Sequence, residues 1–409
     1  MFTAWRRWLA CSLCPLLGAL GAGCGGSSRR THPPRVSVST GPVASIAAGG
    51  FAGYALLTNG SVWAWGDDLE GQTGPGGGWQ LSATPVEVPD LTNMIAIAGG
   101  QNTAYALRRD GTVWAWGDDL QDELGDAGDS PRQIPKRIRV PGGIVAIAAG
   151  AFSAYALRRD GTVWAWGSNS FGQLGTGGAV VPNGIPRRVH RLAGVVAIAA
   201  GSGDGYALDR DGRVWAWGDN SLGQLGTGEC TASPVSTGDG SQCPRSSGPV
   251  EVRGLTGVTA IAAGADTVYA LKRDGTVWTW GDGSFGALGV RIGHPFADQP
   301  VRIGDLEHVV AITAGAYSGY AVLRDSTLWA WGRGVDGELG DGSAANRVAP
   351  TRVLTRTGVI KLAGGGTTAY ALDRHGQLWA WGSSLYGQLG DGYILVGVDE
   401  PTPVLKLPR

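Results

Sequence analysis

A short segment with two tryptophans, repeated seven times, constrains the fold of this chain more than any other feature. Its fullest form, at residues 110–117, reads Asp-Gly-Thr-Val-Trp-Ala-Trp-Gly. The Trp-x-Trp-Gly core begins at Trp63, Trp114, Trp164, Trp215, Trp278, Trp329 and Trp379. Successive copies lie 50 or 51 residues apart, except for 63 residues between the fourth and the fifth. Such a period predicts a single repeat architecture.

Each copy has the pattern of a β-hairpin. An Asn-Gly or Asp-Gly dipeptide stands before the tryptophans in five copies, and these dipeptides favour a two-residue turn with positive φ. In the strand that follows, alternation puts Trp114 and Trp116 on one face and Val113 and Ala115 on the other. Because aromatic rings bury a large apolar area, we expect these tryptophans to pack in the core rather than stack on a ligand.

The segments around each copy complete a unit of four short strands. In the third unit we predict strands at 135–140, 144–148, 154–157 and 162–166, followed by a loop at 168–175. Four short strands in about 50 residues correspond to one propeller blade. A run such as Ala-Ile-Ala-Ala-Gly, poor in strand formers, predicts a strand packed tightly beside a central channel. The predicted fold class is therefore all-β, a seven-bladed β-propeller.

The combined pattern resembles a known repeat. Val-x-x-Ile-Ala-Ala-Gly, Tyr-Ala-Leu, Asp-Gly-x-Val-Trp-x-Trp-Gly and Gly-Gln-Leu-Gly recur in order, and this series is similar to the regulator of chromosome condensation (RCC1) repeat over residues 41–409. The resemblance implies a seven-bladed propeller. Residues 403–407 also match residues 85–88. We therefore expect the C-terminal strand to complete the first blade and close the ring, which removes exposed sheet edges.

The N-terminal segment predicts export. Residues 1–23 combine Arg6 and Arg7 with an apolar stretch at 9–22 that is short for a membrane span. Small residues precede Cys24, which resembles a bacterial lipoprotein signal. We expect lipidation of Cys24, a flexible tether at 24–40, and a location in the bacterial cell envelope as an outer-membrane lipoprotein. Ordinary cleavage, giving a soluble secreted protein, is the alternative.

Two further cysteines, Cys230 and Cys243, lie in the insertion between the fourth and fifth copies. In an exported protein such a pair predicts a disulfide bond. The disulfide either restrains a long loop or shapes a projecting contact surface, and the first interpretation is the simpler.

No pattern in the sequence predicts catalysis. The formal net charge is −1 and arginines are dispersed, so we expect no nucleic-acid partner. Metal-ligand spacing of His and Cys, a nucleophile elbow and a phosphate-binding loop are all missing from the sequence. We expect a non-enzyme without cofactor or metal.

The variable turns after each Ala-Gly are the best candidates for recognition. Matched turn positions carry Phe51, Asn102, Phe152, Gly203, Asp266, Tyr317 and Thr367. Because aromatic residues are enriched at contact sites, we predict that Phe51, Phe152, Asp266 and Tyr317 bind a protein partner at the cell envelope. The predicted function is a monomeric, non-catalytic scaffold, attached to the membrane only by its lipid. Guanine-nucleotide exchange, implied by the family resemblance, and glycan binding or hydrolysis are the alternatives.

Overall fold

A computed structural model describes residues 43–75, 80–128, 130–178, 183–230, 243–354, 358–405 and 407. The strands of the first four blades are β1 (Val43–Ala48), β2 (Ala52–Leu57), β3 (Val62–Gly66), β4 (Ser82–Val88); β5 (Met94–Gly99), β6 (Thr103–Arg108), β7 (Val113–Gly117), β8 (Arg132–Arg137); β9 (Ile144–Ala149), β10 (Ser153–Arg158), β11 (Val163–Gly167), β12 (Asn183–Arg188); β13 (Val195–Ala200), β14 (Asp204–Asp209), β15 (Val214–Gly218), β16 (Ser246–Glu251).

The remaining three blades follow the same plan. Their strands are β17 (Val258–Ala263), β18 (Thr267–Lys272), β19 (Val277–Asp282), β20 (Phe296–Arg302); β21 (Val309–Ala314), β22 (Ser318–Leu323), β23 (Leu328–Gly332), β24 (Arg347–Arg352); β25 (Val359–Gly364), β26 (Thr368–Asp373), β27 (Leu378–Gly382), β28 (Val398–Pro403). One short 3₁₀ helix, Ser284–Gly286, precedes β20.

The seven sheets form a closed ring of blades. Every sheet contains four antiparallel strands in chain order. The first strands contact one another in sequence from β1 to β25, and β25 contacts β1 again. This arrangement places the small Ala-rich strands around the centre and confirms the predicted seven-bladed β-propeller.

The antiparallel order gives the propeller two distinct ends. The turns between first and second strands and the loops between third and fourth strands lie at one end, which we call the loop end. The hairpins between second and third strands and the connections between blades lie at the opposite end, which we call the hairpin end.

Tryptophan and tyrosine side chains join each blade to the next. The second Trp of every motif is at most 1% exposed, and its indole N–H donates to a backbone carbonyl of the preceding blade at 2.8–3.0 Å. The same carbonyl accepts the hydroxyl of that blade's own core tyrosine at 2.5–3.1 Å. Burial is confirmed for these seven tryptophans, whereas the first Trp of each motif is only half-buried.

The two faces predicted for the Trp strand are confirmed. Trp116 and Trp114 pack in the cluster shared with the first blade, and Val113 and Ala115 pack in the cluster shared with the third. Each strand therefore supplies both of its faces to inter-blade cores, which explains why polar residues are rare in it.

Seven glycines allow the blades to approach closely around the channel. Each would place a Cβ within 3.0 Å of a backbone carbonyl oxygen of the next blade; they are Gly49, Gly100, Gly150, Gly201, Gly264, Gly315 and Gly365. Backbone hydrogen bonds run between the same turns, for example from Ala265 to Ala316 at 2.9 Å and from Gly366 to Gly49 at 3.3 Å. The Ala-Ala-Gly run is thus required by close packing beside the channel.

The predicted role of the C-terminal strand in the first blade is wrong. β28 pairs with β27 and completes the seventh blade, while β4 already completes the first. Each outermost strand therefore belongs to the preceding Trp motif. The ring closes because Trp65 donates to the Gln388 carbonyl, and because Val404 and Leu407 pack in the cluster that contains Trp65.

The predicted two-residue hairpin turn is also wrong in detail. In the first blade the Leu57 N–H donates to the Ser61 carbonyl and the Gly60 N–H donates to the Leu57 carbonyl, both at 2.9 Å. Gly60 has φ +84°. The loop is therefore a three-residue type I turn closed by a left-handed glycine.

Cys230 and Cys243 form the predicted disulfide bond. The predicted export signal at 1–23, the lipidation site Cys24 and the tether at 24–40 all lie outside the described residues. Among the described ranges, no helix is long and apolar enough to cross a membrane.

Candidate binding face at the loop end

The structure places all four predicted contact residues at the loop end. Phe51, Phe152, Asp266 and Tyr317 occupy the turn between the first and second strands of their blades. In each of the seven turns the residue at this position accepts, through its carbonyl, a hydrogen bond from the residue after Trp-x-Trp-Gly at 2.8–3.0 Å. The backbone is thus fixed identically while the side chain varies, which is the arrangement expected of a recognition surface on a rigid frame.

Four of the seven turn residues lie beside the third-to-fourth-strand loop of the preceding blade, namely Phe51, Gly203, Asp266 and Tyr317. Phe51 contacts Tyr386 of the seventh blade, with ring centroids 5.1 Å apart. Tyr317 contacts Phe285 of the fifth blade at 5.4 Å. Both pairs have the edge-to-face geometry that aromatic rings prefer. The loop end therefore presents composite aromatic patches, each built from two blades.

The four predicted residues do not form one cluster. Asp266 and Tyr317 lie on neighbouring blades, close enough for the Asp266 carboxylate to raise the pKa of Tyr317 further after burial has raised it. Phe51 lies at the junction of the first and seventh blades, and Phe152 lies in the third blade. The strongest concentration is therefore around the fifth and sixth blades.

Phe285 is the most unusual residue of this surface. It has φ +59°, a left-handed conformation that is rare outside Gly, Asn and Asp, and its side chain is 47% exposed. In the fourth and sixth blades a Gln or Glu side chain accepts the N–H of the equivalent residue, as Gln224 does from Leu222 at 2.7 Å. Ala287 stands at that Gln position in the fifth blade, so the loop instead forms the short 3₁₀ helix.

Burial raises the pKa of two acidic side chains at the loop end, Asp266 and Asp204. Burial, together with Asp219 and Asp282, raises the pKa of Asp266 to about 7, although Gln224 donates to its carboxylate at 3.2 Å. The fully buried Asp204 has its pKa raised well above the usual value, first by burial and then by Asp266. The charge of this part of the loop end therefore changes near neutral pH.

A cationic side chain borders the acidic group. The Arg245 guanidinium lies 4.6 Å from the centre of the Phe171 ring and pairs with Asp219 at 3.0 Å. Arg245 stands two residues after the disulfide-bonded Cys243. The disulfide therefore fixes the start of a segment that contributes a charge to the loop end.

Sequence reasoning missed the second half of this surface. Phe171, Phe285 and Tyr386 occupy matched loop positions, four residues after the Gly of the Trp motif. One position earlier, four loops carry aliphatic side chains whose exposed fraction is between 46% and 67%. They are Leu69, Leu120, Val335 and Leu385. Aligning the loops as well as the turns would have found both sets.

The loop end combines apolar, aromatic and acidic side chains. Within the described ranges, no group of three His, Cys, Asp or Glu side chains could hold a metal ion. Exposed apolar and aromatic side chains on rigid turns, bordered by acidic groups, are features of protein contact sites.

Comparisons with known proteins agree with the architecture. Residues 14–257 match the RCC1-like domain, and residues 258–287, 274–322, 325–372 and 359–388 match the regulator of chromosome condensation (RCC1) repeat. The chain is 28% identical to human E3 ubiquitin-protein ligase HERC2 over 76% of its length, but over only 6% of that ligase. It is 26% identical to the ultraviolet-B receptor UVR8 of Arabidopsis thaliana, over 80% of this chain and 74% of the receptor.

Solved structures show the same fold. Human WBSCR16 superposes with a TM-score of 0.74 at 21% identity, covering 85% of this chain and 94% of the other. Prp20p of Saccharomyces cerevisiae superposes with a TM-score of 0.68 at 24% identity, covering 79% and 80%. The chain has seven blades joined by Trp side chains, and more than half of its length matches the RCC1-like domain. It therefore belongs to the RCC1-like domain family.

Proposed function

We propose that this protein is a non-catalytic scaffold that binds a protein partner through the loop end of its propeller. The observation that carries the proposal is the Phe285–Tyr317 pair, in which a half-exposed aromatic ring is held in a strained backbone conformation at the junction of two blades. Strain of this kind persists where the surrounding structure enforces it, and it concentrates at functional sites.

The chemistry of the surface indicates the kind of partner. Phe285 and Tyr317 supply aromatic contact area, and Asp266, with Asp219 and Asp282 nearby, supplies acidic groups. A complementary partner presents apolar side chains next to basic ones. We further propose, from the N-terminal sequence alone, that this binding takes place at a bacterial cell envelope after export and lipidation at Cys24.

The test is affinity capture with the full chain, cross-linked in envelope extract of the source cell and read by mass spectrometry. We expect one protein to be enriched with the wild type and lost with Phe285→Ala and with Tyr386→Ala. Ile134→Ala is the matched control, because Ile134 is 64% exposed but lies on an outermost strand. Equal capture by all variants would overturn the loop end as the binding surface.

The functions of relatives are separate proposals. Prp20p is known for binding Gsp1p and histones, and ubiquitin ligation belongs to proteins of which this chain matches a small part. Capture of a small GTPase in the same experiment would support guanine-nucleotide exchange. Glycan binding needs a separate measurement, binding to a glycan array, and Phe285→Ala should abolish it if the loop end is the site.

A further inference from the structure

We propose that the hairpin end of the propeller docks on an anionic membrane surface. This inference goes beyond the proposed function and does not depend on the partner at the loop end. It begins from arginines at one matched position: six of the seven hairpins carry an exposed one, namely Arg109, Arg159, Arg210, Arg273, Arg324 and Arg374.

The hairpin frame holds these arginines in a fixed ring. The backbone N–H of each donates to a carbonyl of the connection that precedes its blade at 2.8–3.1 Å. None of the six guanidinium groups forms an ion pair with a carboxylate in the described part of the chain. The aspartates that follow several of them are held in the turn instead, as Asp110 is by the N–H and hydroxyl of Thr112 at 3.0 and 2.7 Å.

An apolar ring lies inside the arginine ring at the same end. Each first strand has a bulge at its second residue, seen as a register shift against the second strand. A bulge removes one residue from pairing and turns it outward. The bulged residues are Ala44, Ile95, Val145, Val196, Thr259, Val310 and Ile360, and the five Val and Ile side chains are 42–57% exposed.

These five side chains have no part in the cores between blades. None of them belongs to the seven buried clusters or packs against them. A ring of exposed aliphatic side chains surrounded by cationic groups is characteristic of surfaces that enter a membrane interface.

The charge of the two ends differs in a way that would orient the propeller. The seven hairpins contain ten Lys or Arg and seven Asp, when each hairpin is counted from the last residue of its second strand to the residue before its third strand. The described loops between third and fourth strands contain fourteen acidic and three basic residues. An anionic bilayer attracts the hairpin end and repels the loop end, with each arginine at the surface contributing on the order of 1 kcal/mol.

A bilayer fits this end better than a nucleic acid does. Nucleic-acid binding needs cations that follow a backbone, with aromatic or polar groups that reach the bases. The hairpin end instead has aliphatic side chains at its centre and arginines around them. The described chain also begins at this end, with Val43 at the start of β1.

The test is flotation of the full chain with vesicles of phosphatidylcholine, alone or mixed with phosphatidylglycerol. Binding to the neutral vesicles reports apolar insertion, and the difference between the two reports charge, to which the arginines of the N-terminal segment also contribute. The part of that difference that belongs to the hairpin end is the part lost on substitution of its arginines. We expect clear preference for the anionic vesicles, lost at high salt. Equal binding to both vesicles would overturn the proposal, and so would tight binding to duplex DNA without preference for anionic vesicles.

Matched double variants separate the two ends. Arg159→Gln with Arg273→Gln removes two charges from the ring and should weaken binding to anionic vesicles about thirtyfold. Lys136→Gln with Arg291→Gln removes two charges whose side chains lie toward the loop end, where Lys136 pairs with Asp126; it should change binding less than about threefold. Equal losses in the two variants would contradict a specific docking end.

A third variant tests the apolar ring. Val196→Thr with Ile360→Thr keeps β-branched shape, and Thr259 already occupies this position in the fifth blade. We expect severalfold weaker binding that persists at high salt, because loss of apolar insertion is not screened. Unchanged binding would show that the ring does not enter the interface.

Discussion

At the scale of single residues, close approach decides where glycine is required. Gly150 is not in a left-handed conformation, yet a Cβ there would collide with the Gly201 carbonyl of the next blade. Gly142, in the connection before the same blade, has open space at its Cβ position. The glycines beside the channel are therefore fixed by packing, whereas those in several connections are not.

This contrast predicts opposite results from one substitution. Gly150→Ala should destabilise the protein by about 1–3 kcal/mol, because the methyl group forces two blades apart. Gly142→Ala should be neutral, or stabilising by up to about 1 kcal/mol, through lower entropy of the unfolded chain. Urea unfolding followed by tryptophan fluorescence measures both, and equal effects would show that the blades do not approach as described.

The half-buried Asp266 predicts a defined pH dependence. Its folded pKa of about 7 lies above the unfolded value of about 3.9. The folded state therefore retains a proton that the unfolded state has lost, and this group's contribution to stability falls as pH rises from about 4 to about 7. Asp266→Asn cannot ionise, so its melting temperature relative to wild type should increase between pH 5 and pH 8.

Asp110→Asn is the control for that measurement. Hydrogen bonds from Thr112 lower the pKa of Asp110, so the stability that this carboxylate contributes to the fold is already present at pH 5. Asp110→Asn should therefore lower the melting temperature equally at pH 5 and at pH 8. A melting-temperature difference for Asp266→Asn that stays constant with pH would contradict the raised pKa.

At the scale of elements, the sequence predicts strands better than it predicts which blade they join. Trp114 and Trp116 fix the third strand and its faces, because alternation and aromatic content are local signals. The assignment of the outermost strand failed, because β4 and β28 each pair with the Trp strand before them across a loop. Loop residues such as Phe285 were missed since their role comes from contact with another blade.

The disulfide gives a prediction for the one blade with a long insertion. Cys230→Ala with Cys243→Ala should lower stability by about 3 kcal/mol, because the bond closes a loop of this length in the unfolded chain. Thermal unfolding of the variant should match that of wild type in reductant. The alternative, a loop that is restrained without the bond, predicts the same melting temperature for oxidised wild type and variant.

At the scale of the whole molecule, each described blade consists of four consecutive strands, and the ring closes with the same contact that joins the other blades. The contact from Trp65 to the Gln388 carbonyl, 2.9 Å, repeats the contact from Trp217 to the Gln173 carbonyl, 2.8 Å. The first joins residues near the two ends of the described chain, and the second joins consecutive blades. Because the same hydrogen bond from Trp to a backbone carbonyl joins the blades at both junctions, the two junctions should contribute equally to the stability of the closed ring.

The final prediction tests that equality. Trp65→Phe and Trp217→Phe each remove one indole donor while the tyrosine continues to bond the same carbonyl. Each should cost about 2 kcal/mol, combining a lost hydrogen bond with a small cavity. Urea unfolding should show one transition and equal losses. A much smaller loss for Trp65→Phe would mean that the first and seventh blades separate before the rest unfolds, since a junction that has already opened contributes nothing to the cooperative transition.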